Sequence, residues 1–141
     1  MRPLRLAALV APILGCQTPT DAGASKLVVK GVWNYTAAQT AGGQAGLTGT
    51  LTVSTQSGTS FSGSASATQT DASNVTTQLA GPLSGKAVDS VTVDFDVFFD
   101  ANGRRHVATV IRDSMKGSWV EDNGDGTASG GTFVAVRTSG P

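Results

Sequence analysis

The sequence predicts an all-β protein, an eight-stranded antiparallel up-and-down barrel, with a two-sheet sandwich as the alternative. Three observations carry this. Apolar residues recur at every second position in run after run, the period of a strand with one buried face. The runs are short, evenly spaced and separated by clusters of Gly, Asn, Asp and Ser, residues suited to tight turns. After the apolar leader, no run shows the 3.6-residue period of a helix.

The elements follow in order. Residues 26–36 read as the first strand, with Val29, Gly31, Trp33 and Tyr35 on one face, and 37–46 as a loop. Residues 47–54 alternate Leu47, Gly49, Leu51 and Val53 against Thr and Ser, and TQSGT makes a tight turn. Residues 60–68 put Phe61, Gly63, Ala65 and Ala67 on one face and serines on the other. Residues 69–74 read as loop. Residues 75–83 carry Val75, Thr77, Leu79, Gly81 and Leu83, with Pro82 marking a strand end, an edge or a bulge. Residues 88–99 form the strongest pattern, with Val91, Val93, Phe95, Val97 and Phe99 in phase. A hairpin turn over 100–103 leads into 105–112, whose inward face is either Val107 and Ile111 or Ala108 and Val110. The last hairpin spans 115–137. It sets Met115, Gly117 and Trp119 on one face, turns at EDNGDGT, and resumes with Phe133, Ala135 and Arg137 in phase.

Half of each strand is polar, so the sheet has one wet face. Eight strands can close and remove their exposed edges. Such a barrel is wide enough to be filled by side chains or to hold one small ligand.

The 141 residues suit one domain. Charged residues are 14% and aromatics 6%, with 18 glycines, which fits an extracytoplasmic β domain with many turns. Ten basic and ten acidic residues cancel, a balance that points neither to nucleic acid nor to a polybasic membrane surface.

Arg2 and Arg5 precede the apolar run LAALVAPIL. That run is far shorter than the roughly 20 residues needed to span a bilayer, and its length and flanks are those of a secretory signal. It ends in Ile13-Leu14-Gly15-Cys16, and Cys16 is the only cysteine. This resembles the lipobox of bacterial lipoproteins. The resemblance implies a diacylglycerol on the Cys16 sulfur, cleavage after Gly15 and palmitate-type acylation of the new amino terminus. Two or more acyl chains give stable anchoring. Gln17, rather than Asp, after the cysteine implies the outer membrane. The expected organisation is a signal peptide over 1–15, the lipidated cysteine and a flexible tether over 16–25, and a barrel over 26–139.

Gly31-Val32-Trp33 on the first strand and Arg137 on the last resemble the lipocalin and avidin superfamily. There a G-x-W places a Trp at the closed end of an up-and-down barrel, and in lipocalins a basic residue of the last strand packs over it. Leu47-Thr48-Gly49-Thr50 resembles the second strand of avidin-like proteins. The resemblance implies structural roles for Gly31, Trp33 and Arg137, with the guanidinium stacked on the indole. The aromatic set of the avidin site and the C-terminal helix of true lipocalins are not seen, so biotin is not implied.

Other candidate residues have plainer roles. His106, the only histidine, reads as a solvated strand residue beside Arg104 and Arg105, since no nucleophile or orienting carboxylate pairs with it by spacing. One His and no spare Cys cannot make a zinc site. Glu121, Asn123 and Asp125 before Gly126 resemble the start of a calcium loop, but Thr132 stands where the bidentate Glu belongs, so a polar turn is expected. Asp94 and Asp96, about 7 Å apart along one strand, fall on the wet face with Phe98.

Three functions remain. The first is a small-molecule or lipid-binding barrel, in which the many inward Gly and Ala residues leave room and Trp33, Tyr35, Phe61, Phe95, Trp119 and Phe133 line or plug the interior. The second is a solid-packed barrel of the cell envelope, a structural or interaction protein or inhibitor, working through loops such as 37–46 and 121–127. The third, an enzyme, is not expected, because no acid, base and nucleophile converge. The expected partners are the membrane, through the lipid on Cys16, and a small hydrophobic ligand. No nucleic acid, cofactor or metal is expected.

Overall fold

A computed structural model describes residues 26–99 and 102–140. Eight strands follow one another: β1 (Gly31–Ala41), β2 (Gly46–Ser57), β3 (Ser60–Thr70), β4 (Thr76–Ala87), β5 (Thr92–Phe99), β6 (Asn102–Ile111), β7 (Ser114–Asp122) and β8 (Ala128–Ser139). Each pairs antiparallel with the next, and β8 returns to β1, so the sheet is a closed up-and-down barrel. The sandwich alternative is therefore set aside. The lipobox, Cys16 and the tether lie outside the described residues.

Alternation decides which side chains fill the barrel. Trp33, Tyr35 and Ala37 of β1 point inward, as do Leu47, Leu51 and Val53 of β2 and Phe61, Ala65 and Ala67 of β3. Leu79 and Leu83 of β4 join them, with Val93, Phe95, Val97 and Phe99 of β5, Met115 and Trp119 of β7, and Phe133 and Ala135 of β8. Serine and threonine take most of the opposite positions of β2 and β3, where water satisfies them.

Three elements differ from expectation. β1 runs on to Ala41, because Ala37 still packs inward and the left-handed Gly42, at φ 75°, makes the turn later. Residues 88–91 are a turn rather than strand. The Asp89 carboxylate accepts the amides of Val91 and Thr92 at 2.8 and 2.7 Å, which ends the alternation and leaves Val91 exposed. Residues 26–30 precede the first strand and lie across one end, Val29 among them fully buried. That end also carries the turns 58–59, 88–91 and 112–113, and the C-terminal end of β8. The opposite end carries the turns 42–45, 71–75 and 123–127.

The strand β6 resolves an ambiguity. Phe99 pairs with Asn102 and Phe95 with His106, and opposed residues share a face, so Arg104, His106, Ala108 and Val110 point inward. Val107 and Ile111 are exposed. Pro82 sits inside β4, opposite Ser64 of β3. The ladder to β5 begins only at Leu83, so the proline's missing N–H falls where pairing on that side has stopped.

The inward glycines do not leave room. A Cβ on Gly63 would overlap the Thr52 carbonyl, on Gly81 the Phe98 carbonyl, and on Gly117 the Val107 carbonyl. These are places where the wall turns so sharply that adjacent backbones touch, the role glycine kinks play in small barrels. Gly81→Ala is expected to lower stability by about 2 kcal/mol. Gly46→Ala, where nothing lies within 4 Å, should be near neutral. Equal urea midpoints for the two variants would contradict this account.

Candidate functional site

The six aromatic residues proposed from the sequence all face inward, but they gather in three places. At the end crossed by residues 26–30, Trp33 is completely buried and donates from its indole nitrogen to the Val29 carbonyl at 2.9 Å. The Arg137 guanidinium carbon lies 4.3 Å from the Trp33 ring centroid. Arg137 also donates to the carbonyls of Lys30 at 2.6 Å and Val28 at 2.7 Å. Its Nε is 3.3 Å from Asp113 Oδ1, an ion pair without hydrogen-bond geometry. Gly31, at φ 137°, leaves the space in which Ser139 passes: a Cβ there would sit 2.5 Å from the Ser139 oxygen. Gly31, Trp33 and Arg137 thus form a plug.

Mid-barrel holds a second group. The His106 ring stacks on Phe95 at 4.7 Å between centroids and meets Phe133 edge-on at 5.0 Å. Tyr35 lies 5.6 Å from Phe133, and Phe61 lies 6.1 Å from Phe95. These rings fill the middle of the barrel. His106 is fully buried, not solvated as its neighbours in sequence suggested. Its Nδ1 is 2.8 Å from the Arg104 carbonyl, which can only accept, so Nδ1 carries the hydrogen. Nε2 then accepts from the Tyr35 hydroxyl at 3.1 Å. Both ring nitrogens and the phenol are satisfied in their neutral forms. Burial pushes the His106 pKa down to about 4, with the Arg104 charge adding to this and the Arg104 carbonyl opposing it. Burial also raises the Tyr35 phenol above its usual range, against a smaller effect of Arg104.

The third group closes the other end. Arg104 is buried rather than solvated, with its guanidinium 5.1 Å from the Trp119 ring centroid and 5.3 Å from that of Phe99. Its Nε donates to Glu121 at 2.6 Å and its Nη2 to Gln69 at 3.0 Å, tying β6 to β7 and β3 across the mouth. Arg104 Nη1 and Trp119 Nε1 are buried and have no hydrogen-bond partner among the described residues. Each end of the barrel is therefore closed by an arginine on a tryptophan. At the Trp33 end the indole donor is used; at the Trp119 end it is open.

The remaining candidates lie outside this interior. Asp94 and Asp96 face outward, and Asp94 takes a bidentate pair from Arg105 at 3.0 and 2.7 Å. Those bonds hold the Asp94 carboxyl below its usual range. Phe98 lies outward against Gly103 with no bulge. The turn after β7 closes on itself: Asp122 accepts the Gly124 amide and Asp125 the Thr127 amide. Among the described residues no three His, Cys, Asp or Glu side chains group as metal ligands.

Alternation puts Phe99 in phase with the inward set, whereas the interior places of Arg104 and His106 and the mouth contacts of Glu121 and Gln69 were not anticipated. For Arg104 and His106 the signal was parity: Phe99 is inward and pairs with Asn102, so the even positions from Arg104 to Val110 are inward.

The fold is similar to that of a solved structure, EF1p2_mFAP2b bound to DFHBI, with TM-score 0.66 and 14% identity, over 82% of this chain and 100% of that one. No family model and no curated protein matches the chain. At this identity the likeness shows the barrel fold.

Proposed function

We propose that this chain is a lipid-anchored barrel of the bacterial cell envelope that binds a small, largely apolar ligand carrying one hydrogen-bond-accepting or anionic group. The carrying observation is the pair of buried donors at the mouth, Arg104 Nη1 and Trp119 Nε1, without partners among the described residues. Buried N–H groups in folded proteins are nearly always paired, so two together favour an acceptor arriving from outside. Phe99 and Trp119 supply apolar surface beside them. The mid-barrel rings limit the ligand to the mouth. The similar barrel bound to DFHBI supports the architecture as one that accepts a ligand. The lipobox at Cys16 supports the anchor, and Gln17 the outer membrane.

The test uses 1-anilinonaphthalene-8-sulfonate, an aromatic probe with one anionic group. Saturable uptake is expected, weakened about tenfold or more in Arg104→Met, since a hydrogen bond to a charged group is worth about 1.5–3 kcal/mol. No saturable uptake by the wild-type protein would end the reading. For the anchor, radiolabelled palmitate should mark the wild-type protein and not Cys16→Ser.

The packed rings of Tyr35, Phe95, His106 and Phe133 favour a second reading, a solid barrel acting through its outer face. That face carries a groove between Lys86, Asp94, Asp96 and Arg105. It gains if probe uptake fails.

A further inference from the structure

We propose that the end of the barrel crossed by residues 26–30 is a docking face for an anionic lipid surface. The overall charge balance of zero conceals a segregation along the barrel axis. Lys26, Lys30 and Arg112 are exposed at this end, and Lys116 is exposed two residues up β7 from it. The acids here are Asp89, whose carboxylate is bound to the amides of Val91 and Thr92, Asp113, which faces Arg137, and, two residues up β5, Asp94, which is paired with Arg105 and stands opposite Lys86. The opposite end carries Asp71, Glu121, Asp122 and Asp125, with Arg104 as its described cation.

Exposed apolar side chains lean the same way, though Val75, Phe98 and Val120 are exposed near the acidic end. Val28, Val88, Val91 and Ile111 are exposed by 45, 57, 45 and 65% at the basic end. Val88 and Val91 stand in a turn, where water favours polar residues, and the backbone bond from Val110 to the Val91 carbonyl at 2.7 Å sets Val91 beside the end of β6 that carries Ile111. A shallow, mainly apolar groove of about 540 Å³ lies between Lys26, Leu27, Ala87 and Val88. At the acidic end the turns are built from Gly, Ala, Asn, Asp, Ser and Thr, with Gln44 and Val75 the larger exceptions.

Exposed cations around exposed valine and isoleucine match a leaflet of acidic headgroups over acyl chains. The chain also leads the right way. Ten positions separate Lys26 from Cys16, a reach of at most roughly 36 Å. The inference rests on the anchor reading only for that last point. The lipid would hold the basic, apolar end against the bilayer and turn the Arg104–Trp119 mouth away from it.

The test separates docking from anchoring. The processed chain, from residue 16 onward and carrying Cys16→Ser, is floated with vesicles of phosphatidylcholine alone or mixed with phosphatidylglycerol. Binding is expected to the mixed vesicles only, to fall about tenfold when Lys26, Lys30 and Arg112 are reversed to Glu, and to weaken at high salt. Val88→Ser with Ile111→Ser should weaken it too. Asp71→Lys at the far end should not. Buried tryptophan emission reports that each variant folds. Should Lys26→Glu with Lys30→Glu disturb residues 26–30, Lys116→Glu alone, on a strand face, carries the charge test. Equal binding to both vesicles, or no effect of charge reversal in folded variants, overturns the proposal. Palmitate labelling with no vesicle binding leaves the anchor standing and removes the docking face; vesicle binding without labelling does the reverse.

Discussion

Trp33→Ala is expected to lower the unfolding free energy by about 4 kcal/mol, within the range for a large buried aromatic. The indole is completely buried, so its removal opens a void at the end of a barrel too narrow to collapse. Two further losses accompany it. The Val29 carbonyl loses its donor, and Arg137 loses the ring beneath its guanidinium. Residues 26–30 are held by these two side chains together with Gln56, so losing the indole and loosening Arg137 should make this segment more protease-sensitive in the variant. Trp33→Phe keeps a ring under Arg137 and should cost less. Urea unfolding is the measurement; a loss under about 1 kcal/mol for the alanine variant would mean that the plug is not structural.

Mild acid should destabilise the protein through His106. Unfolded, the imidazole titrates near 6.5; folded, burial holds it at about 4. The folded state therefore binds fewer protons between these values, and stability rises with pH there. The contribution is whole above about pH 6.5, is lost as pH falls towards 4, and amounts to on the order of 3 kcal/mol. Asp89, Asp94 and Asp125 have folded values below their unfolded ones, so their contributions are present above the ordinary carboxylate range and fade in more acid solution. The interval above about pH 4.5 belongs to the histidine. His106→Phe keeps a ring against Phe95 and cannot charge. Its stability should be lower at neutral pH, where Tyr35 loses its acceptor, yet nearly flat across the interval. An equally steep slope in that variant would assign the acid sensitivity elsewhere.

The barrel was legible because water imposes it residue by residue. Each strand buries one face, so alternation alone gave eight strands and their order. Gly31, Trp33 and Arg137 were legible as a plug because phase put them on one face at the two strands that close the barrel. What failed did so for reasons local alternation cannot carry. His106 and Arg104 looked solvated because polar residues usually are. They are inside because Tyr35, Gln69 and Glu121, from three other strands, meet His106 Nε2 and Arg104 Nη2 and Nε there. Alternation alone reads an inward glycine as vacancy, whereas at Gly63, Gly81 and Gly117 the neighbouring strand occupies the place of the side chain. Net charge summed to zero and said nothing about its placement, which depends on which turns share an end.

The seam between β1 and β8 has a consequence for how the chain is made. It is held in part by Arg137 reaching Lys30, 107 positions earlier. Closing so long a loop brings its reward only at the last step, which slows folding relative to local pairings. Translation delivers the opening strand early and its second neighbour at the finish. In the interval the growing chain is a curled ribbon with two bare margins, each a template for strand exchange with another copy. A nascent chain stopped short of residue 128 would stay in that condition, so interrupted synthesis should yield aggregates rather than a smaller stable fold.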